Sequence, residues 1–173
     1  RSRGLGDVYK RQAQIIIATG VTQETNDKQQ VKPLIECLKE NLNGHKPNKI
    51  SADSGYYSED NVKYLSKAHI DTYVATGRQK HGDASRACPR GRIPNDATTK
   101  DRMARKLSTV KGRNVYKKRK QIVEPVFGQI KEVRGFRRFL LRGLDKVTAE
   151  WHLICLTHNL LKLHRNGLLP NSA

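Results

Sequence analysis

Acidic residues are scarce in this chain, and so are cysteines and long apolar runs. Asp and Glu number 16 against 34 Lys and Arg in 173 residues, a formal net charge of +18. A compact state carrying that excess repels itself and favours a polyanionic partner, so nucleic acid is the expected partner class. No apolar run approaches the roughly 18 residues needed to span a bilayer, which argues against a membrane role. Hydrophobic residues make up only 36 %, so the expected core is compact, with much of the chain at the surface or in loops. The length suits one domain with a real core.

Cys37, Cys88 and Cys155 are odd in number, far apart and in no CxxC pair, which fits a reducing cytoplasm and no disulfide framework. Cys37 and Cys155 lie in helix-like apolar patterns and read as small core residues. The six histidines show no ligand spacing with them, so no zinc site is expected; His158 and His164 read as helix-surface residues.

The first dozen residues, RSRGLGDVYKRQ, have no hydrophobic periodicity. Within them, Asp7 to Gln12 resembles the translation of a sequencing-library adapter, and such a segment does not belong in fold reasoning. Residues 1–12 are therefore expected to be disordered and not native. A single domain is expected over 13–165, followed by a tail over 166–173.

Gln14 to Thr22 is rich in β-branched residues and reads as a buried strand. Thr25-Asn26-Asp27 offers caps for a helix from Lys28 to about Leu42, where Val31, Leu34, Ile35, Leu38 and Leu42 follow the helical period. Asn43-Gly44 stops it. Lys49 to Ala52 is a short second strand ending in the turn Asp53-Ser54-Gly55. Ser58, with Asp60 and Asn61, opens a helix whose apolar positions are Val62, Leu65 and Ala68. Ile70 to Thr76 is a third strand.

Residues 77–100, with Gly, Pro, Arg and Asp and almost no apolar content, read as a long mobile basic insertion. Helical character returns over Lys100 to Val110 and again from about Tyr116. A last helix runs from Val147 to His164, with Trp151 in its apolar face. Alternating strands and helices predict an α/β fold, a sheet with parallel pairs flanked by helices.

Two carboxylates stand out. Asp53 ends a β run beside a glycine turn, the place where open α/β sheets put their sites, although Asp-Ser-Gly is also ordinary turn chemistry. Glu124 sits in a stretch, Lys100 to Arg142, that holds 15 Lys or Arg and three acids. Pro125 after it restricts the backbone and suggests the first turn or a kink of a helix. Val126, Ile130 and Val133 are then expected to face the core, with Gly128 and Lys131 on the side of Glu124.

The run Tyr116, Arg119, Glu124, Lys131 resembles the Tyr–Arg–Glu–Lys signature of bacterial insertion-sequence DDE transposases. The spacing before Glu124 is one residue longer than the usual pattern, so either Arg119 or Lys120 could take the arginine's place. The blocks SADSGYYSEDNV, VATGRQKH, VEPVFGQIK and RGFRRFLLRGLDKVTAEWHLICLTHNLLKL resemble the same family. The likeness runs from Gln14 to Leu163.

What this resemblance implies is an RNase H-like catalytic domain that cuts DNA at insertion-sequence ends and transfers the strands. Three carboxylates would hold two Mg²⁺ (or Mn²⁺) ions; Asp53 matches the second and Glu124 the third. Tyr116, Arg119 or Lys120, and Lys131 would position the DNA backbone. Arg134, Arg137 and Arg138 are further phosphate-contact candidates from the basic stretch. The implied partners are transposon ends and target DNA, with a homo-oligomer in the complete enzyme and a bacterial, nucleoid-associated location. The first carboxylate belongs on a strand before Gln14 and has no counterpart here, so an inactive fragment is expected. The alternative is a non-catalytic basic nucleic-acid-binding protein, a decayed transposase.

Overall fold

The computed structural model describes residues 13–77 and 88–168. The expectations for 1–12, for 78–87 of the insertion and for the end of the tail, 169–173, lie outside the described residues. The fold is a mixture of helices and a small parallel sheet, arranged in two compact units: Glu24–Lys120, and the flanking segments up to Gln23 and from Gln121 onward.

The Glu24–Lys120 unit opens with a 3₁₀ turn, Asp27–Gln30, capped by the Asn26 side chain, which accepts from Lys28 N. Helix α1, Val31–Asn41, continues it. Asn43 and Gly44 then take left-handed backbone, with φ 51° and 83°, and the helix ends where the sequence signals it. Strand β1, Lys49–Ala52, leads into a 3₁₀ turn, Ser54–Tyr56, and helix α2, Glu59–Lys67. Ser58 caps α2 by accepting from Asn61 N, while Glu59 and Asp60 occupy its first turn, complementing the helix dipole.

Strand β2, Asp71–Val74, pairs parallel with β1 in the register Ile50 to Thr72 and Ala52 to Val74. The crossover through α2 gives the parallel pair its connection. Ile35, Leu65 and Ile70 form the buried core, with Val31, Ile50, Tyr64 and Ala68 packed on it. The helical period of α1 and α2 thus places one face of each against the same core.

After residues 88–98, helix α3 spans Thr99–Ser108, opened by a reciprocal capping box between Thr98 and Asp101. Its Arg102 donates to the carbonyls of Pro94, Asn95 and Ala97, and Arg105 to those of Arg90 and Gly91. Thr109 ends α3 and caps the next helix, its hydroxyl accepting from Gly112 N at 3.0 Å. Helix α4, Val110–Gly128, therefore starts earlier than Tyr116, the expected point. Gly112 permits the tight junction: a Cβ there would lie 2.0 Å from the Lys106 carbonyl oxygen.

The second unit holds the end of α4, a π-helical turn over Gln129–Val133, and helix α5, Leu144–Arg165. Pro125 lies inside α4, four residues before the π turn, not in a first turn. A proline cannot donate to the carbonyl four residues earlier, here that of Gln121. The side-chain amide of Gln14 donates to that oxygen instead, at 3.3 Å. The wider π turn also shifts the apolar stripe. Ile130 is buried as expected and Val126 half-buried, but Val133 is 78 % exposed.

The expected strand Gln14–Thr22 is not formed. The backbone of Ile16 pairs with a side chain rather than a strand: its N–H donates to Asn159 Oδ1 and its carbonyl accepts from Asn159 Nδ2. His158, expected on a helix surface, is fully buried. Its Nε2 lies 3.1 Å from the Gln14 carbonyl oxygen, while Nδ1 has no partner. A carbonyl oxygen only accepts, so Nε2 carries the proton and, in the neutral ring, Nδ1 is the bare nitrogen. Burial, with Lys162 and Arg134 nearby, holds the imidazole below its ordinary pKa against the opposing bond to Gln14.

Cys155 is buried as expected, and burial pushes its thiol up to about 11 despite Arg134. Cys37 is only half-buried. Trp151 is half-buried too, stacked on Phe127 and edge-on to Phe139.

Candidate functional site

Asp53 follows β1 directly and caps the Ser54–Tyr56 turn, its Oδ1 accepting from Gly55 N at 3.2 Å. That is the turn chemistry its sequence context announces. It also fixes the carboxylate at the C-terminal end of a parallel strand, with half of the side chain, 49 %, open to solvent. Asn61 locks this turn from α2. Its buried amide donates to the carbonyl oxygens of Lys28 at 2.7 Å and Tyr56 at 3.0 Å, joining both 3₁₀ turns. Gly55 sits between two acids: a Cβ there would lie 3.2 Å from Asp27 Oδ2 and 3.3 Å from Asp53 Oδ1. Burial raises the Tyr56 phenol, and the charges of Asp27 and Asp53 raise it further.

Helix α4 brings a cation to this turn. Arg119 Nη1 lies 3.7 Å from Asp53 Oδ2. The guanidinium packs against the Tyr116 ring, 5.5 Å from its centroid, as residues three apart on a helix can. Arg119 is 22 % exposed, and its Nε is buried without a hydrogen-bond partner. Lys120, the other residue considered for this place, is exposed. Tyr116, Arg119 and Asp53 thus form one cluster within the Glu24–Lys120 unit.

The remaining candidates lie in the second unit. Glu124 is exposed on α4, and its carboxylate makes no hydrogen bond or ion pair among the described residues. Lys131 is exposed and rests over the Phe127 ring at 5.5 Å. Arg134 is not a free cation: it donates to the Ile154 carbonyl and the Thr157 hydroxyl, anchoring the π turn to α5. Arg137 pairs with Glu132, and Arg138 is exposed. The carboxylate of Glu150 accepts from the backbone N–H groups of Leu140 and Leu141 and so holds the loop that follows Arg138.

Sequence reasoning missed a polar cluster at the start of β2. Lys106 donates to Asp71 Oδ1 at 2.6 Å and lies 4.4 Å over the Tyr73 ring, while Tyr73 donates its hydroxyl to Asp71 Oδ2 at 2.9 Å. Burial works to raise the Asp71 carboxyl. The bonds from Lys106 and Tyr73 and the charges of Lys106 and Lys111 outweigh it and hold the group below its usual range. The cluster ties α3 to the sheet.

Hard oxygen donors with open positions suit Mg²⁺, which keeps several waters and takes few carboxylates. The carboxylates of Asp53, half open to solvent, and Glu124, exposed, have that chemistry. Among the described residues no group of three or more His, Cys, Asp or Glu is placed to hold a metal ion.

A family model described as the transposase DDE domain matches residues 78–164. The chain belongs to that family. The match covers Tyr116, Arg119, Glu124 and Lys131, whereas Asp53 lies before it. No curated protein and no solved structure matches the chain. Membership makes this a transposase domain, of an enzyme class that acts on DNA by phosphoryl transfer. No helix among the described residues is long and apolar enough to cross a membrane.

Proposed function

We propose that this transposase domain is an RNase H-like catalytic domain that cleaves DNA at insertion-sequence ends and joins the ends to target DNA. Asp53 and Glu124 are its second and third metal-binding carboxylates, the ligands of two Mg²⁺ or Mn²⁺ ions. Held there, such ions would supply charge stabilisation for in-line phosphoryl transfer. The chain's own residues do the rest. Tyr116 and Arg119 on α4, with Lys120, Lys131, Arg137 and Arg138, hold the sugar-phosphate backbone. Arg134 acts through packing, since both of its bonding arms are engaged on α5. The complete enzyme works as a homo-oligomer on transposon ends and target DNA at the bacterial nucleoid.

The observation that carries this reading is the 3.7 Å approach of Arg119 to Asp53. Two residues assigned to one site from separate blocks of the sequence meet at a strand end, where a carboxylate and a phosphate-binding cation are both required. The same chain as a basic nucleic-acid binder without catalysis is the second reading, favoured by the net charge of +18.

Fluorescence anisotropy with a labelled duplex at several salt concentrations tests the DNA-binding part common to both. Expected is an affinity that falls log-linearly with salt, with a slope of about −0.9 per phosphate neutralised. No binding at about 50 mM salt, where such contacts are strongest, contradicts both readings. Mn²⁺ titration of the full-length protein separates them: ion binding that Glu124→Ala removes supports the catalytic reading, and no ion binding supports the second.

A further inference from the structure

The guanidinium of Arg119 faces two demands that it cannot meet at once. Asp53 Oδ2 draws it at 3.7 Å, and a DNA phosphate, on the reading proposed above, needs the same donors. The separation is too long for a hydrogen bond, so the pair is held by charge alone. Oδ1 of Asp53 is occupied by Gly55 N, which leaves Oδ2 as the oxygen facing both the guanidinium and solvent. Arg119 Nε is buried and unpartnered, so its donors are not saturated by Asp53. The Tyr116 ring, 5.5 Å away, supports the guanidinium without supplying an acceptor. Asp27 is the other acid beside the turn: a Cβ on Gly55 would lie 3.2 Å from its Oδ2.

We propose that the Asp53–Arg119 pair is a DNA-operated latch. With no DNA bound, Asp53 holds the phosphate-binding guanidinium. When a DNA phosphate takes Arg119, Oδ2 of Asp53 is released, so capture of substrate and exposure of the carboxylate are one event. Arg119 is then a positioning residue as well as a DNA contact. The inference rests on the proposed DNA binding, but it needs no metal for its test.

A solvent-screened pair of this kind closes with an equilibrium constant of roughly 1 to 5, so it weakens DNA binding by about two- to sixfold. The experiment is a double-mutant cycle on this chain, with duplex affinity measured by anisotropy in EDTA. Asp53→Asn keeps an oxygen for Gly55 N and removes the charge. It is expected to tighten DNA binding about two- to sixfold more than the control neutralisation Asp60→Asn, which reports the effect of net charge alone. In an Arg119→Gln background, which itself binds DNA more weakly, the gain from Asp53→Asn falls to that of the control. Thermal melts of each variant check that the turn is intact, and Asp53→Ser replaces Asp53→Asn if the latter does not fold. An equal gain in both backgrounds overturns the latch while leaving DNA binding standing. Failure of the unsubstituted chain to bind DNA overturns the reading beneath it and the latch together.

Discussion

Arg119 on helix α4 points its guanidinium at the carboxylate of Asp53, which ends strand β1, at 3.7 Å. Each residue has a local reason to be where it is. Asp53 is fixed by the N–H of Gly55 and the turn by the amide of Asn61. Arg119 is fixed by the Tyr116 ring three residues earlier on the helix. Their meeting is a tertiary fact that neither segment dictates alone.

Asn61 holds two backbone carbonyls from inside the fold, those of Lys28 and Tyr56. Asn61→Ala strands both and is expected to cost about 1–3 kcal/mol in urea unfolding. Asn61→Asp is expected to be worse, because it sets a carboxylate against two acceptors. Unchanged stability in either variant contradicts this role.

Gly112 offers a test in which helix propensity and packing predict opposite signs. Alanine in a helix interior is ordinarily better than glycine by about 1 kcal/mol. Here the added Cβ would meet the Lys106 carbonyl oxygen at 2.0 Å, where neither backbone can yield cheaply. Gly112→Ala is expected to lower stability by about 1–3 kcal/mol. A rise in the melting temperature refutes the close α3–α4 junction.

His158 is buried neutral and its pKa is held below 6.5 by that burial. The unfolded chain therefore binds the proton more readily, and stability rises with pH through the interval between the two values. Its contribution is complete above about 6.5 and is lost as pH falls from there toward the folded value. Melting curves between pH 7 and 5 are expected to show this loss, and His158→Gln, which keeps a donor, is expected to flatten it. An identical pH profile in the variant contradicts the buried neutral ring.

Asp71 acts at a lower pH. Its carboxyl is held below 3.8 in the fold because the bonds from Lys106 and Tyr73 outweigh burial. Its stabilisation is present above the unfolded pKa and disappears as pH drops through the folded one. Asp71→Asn is expected to melt earlier than the parent at pH 7 and to converge with it as pH falls below 3.8 and through the folded value. A gap that persists in acid points to packing and not to charge.

The elements most readable in the sequence are those whose signals are local. Ser58 and Asn61 fix the start of α2, Asn43-Gly44 the end of α1, and the short β-branched runs the two strands. The strand expected at Gln14–Thr22 failed because β propensity cannot supply a neighbouring strand; Asn159 satisfies Ile16 instead. Pro125 was legible as a disruption, but the partner of the freed Gln121 carbonyl, Gln14, is remote in sequence. His158 and Arg134 look like surface residues by type, and only the packing of α5 shows one buried and the other bonded. Of the candidate site, the turn at Asp53 was legible from Asp-Ser-Gly, and its Oδ1 accepts from Gly55 N as that turn requires. The sequence left Arg119 and Lys120 as alternatives; the helix phase turns Arg119 toward Asp53 and leaves Lys120 exposed.

The central claim, that Asp53 and Glu124 are catalytic carboxylates of a DNA-cleaving transposase, is tested most directly by strand cleavage. The assay uses a transposon-end duplex, Mg²⁺ and the full-length protein. Glu124→Ala and Asp53→Asn are each expected to lower cleavage by at least about a thousandfold, the scale lost when charge stabilisation at a reacting centre is removed. DNA affinity should stay within the few-fold range of a single exposed charge. Cleavage retained in the Glu124→Ala variant, with DNA affinity lost instead, would contradict the account.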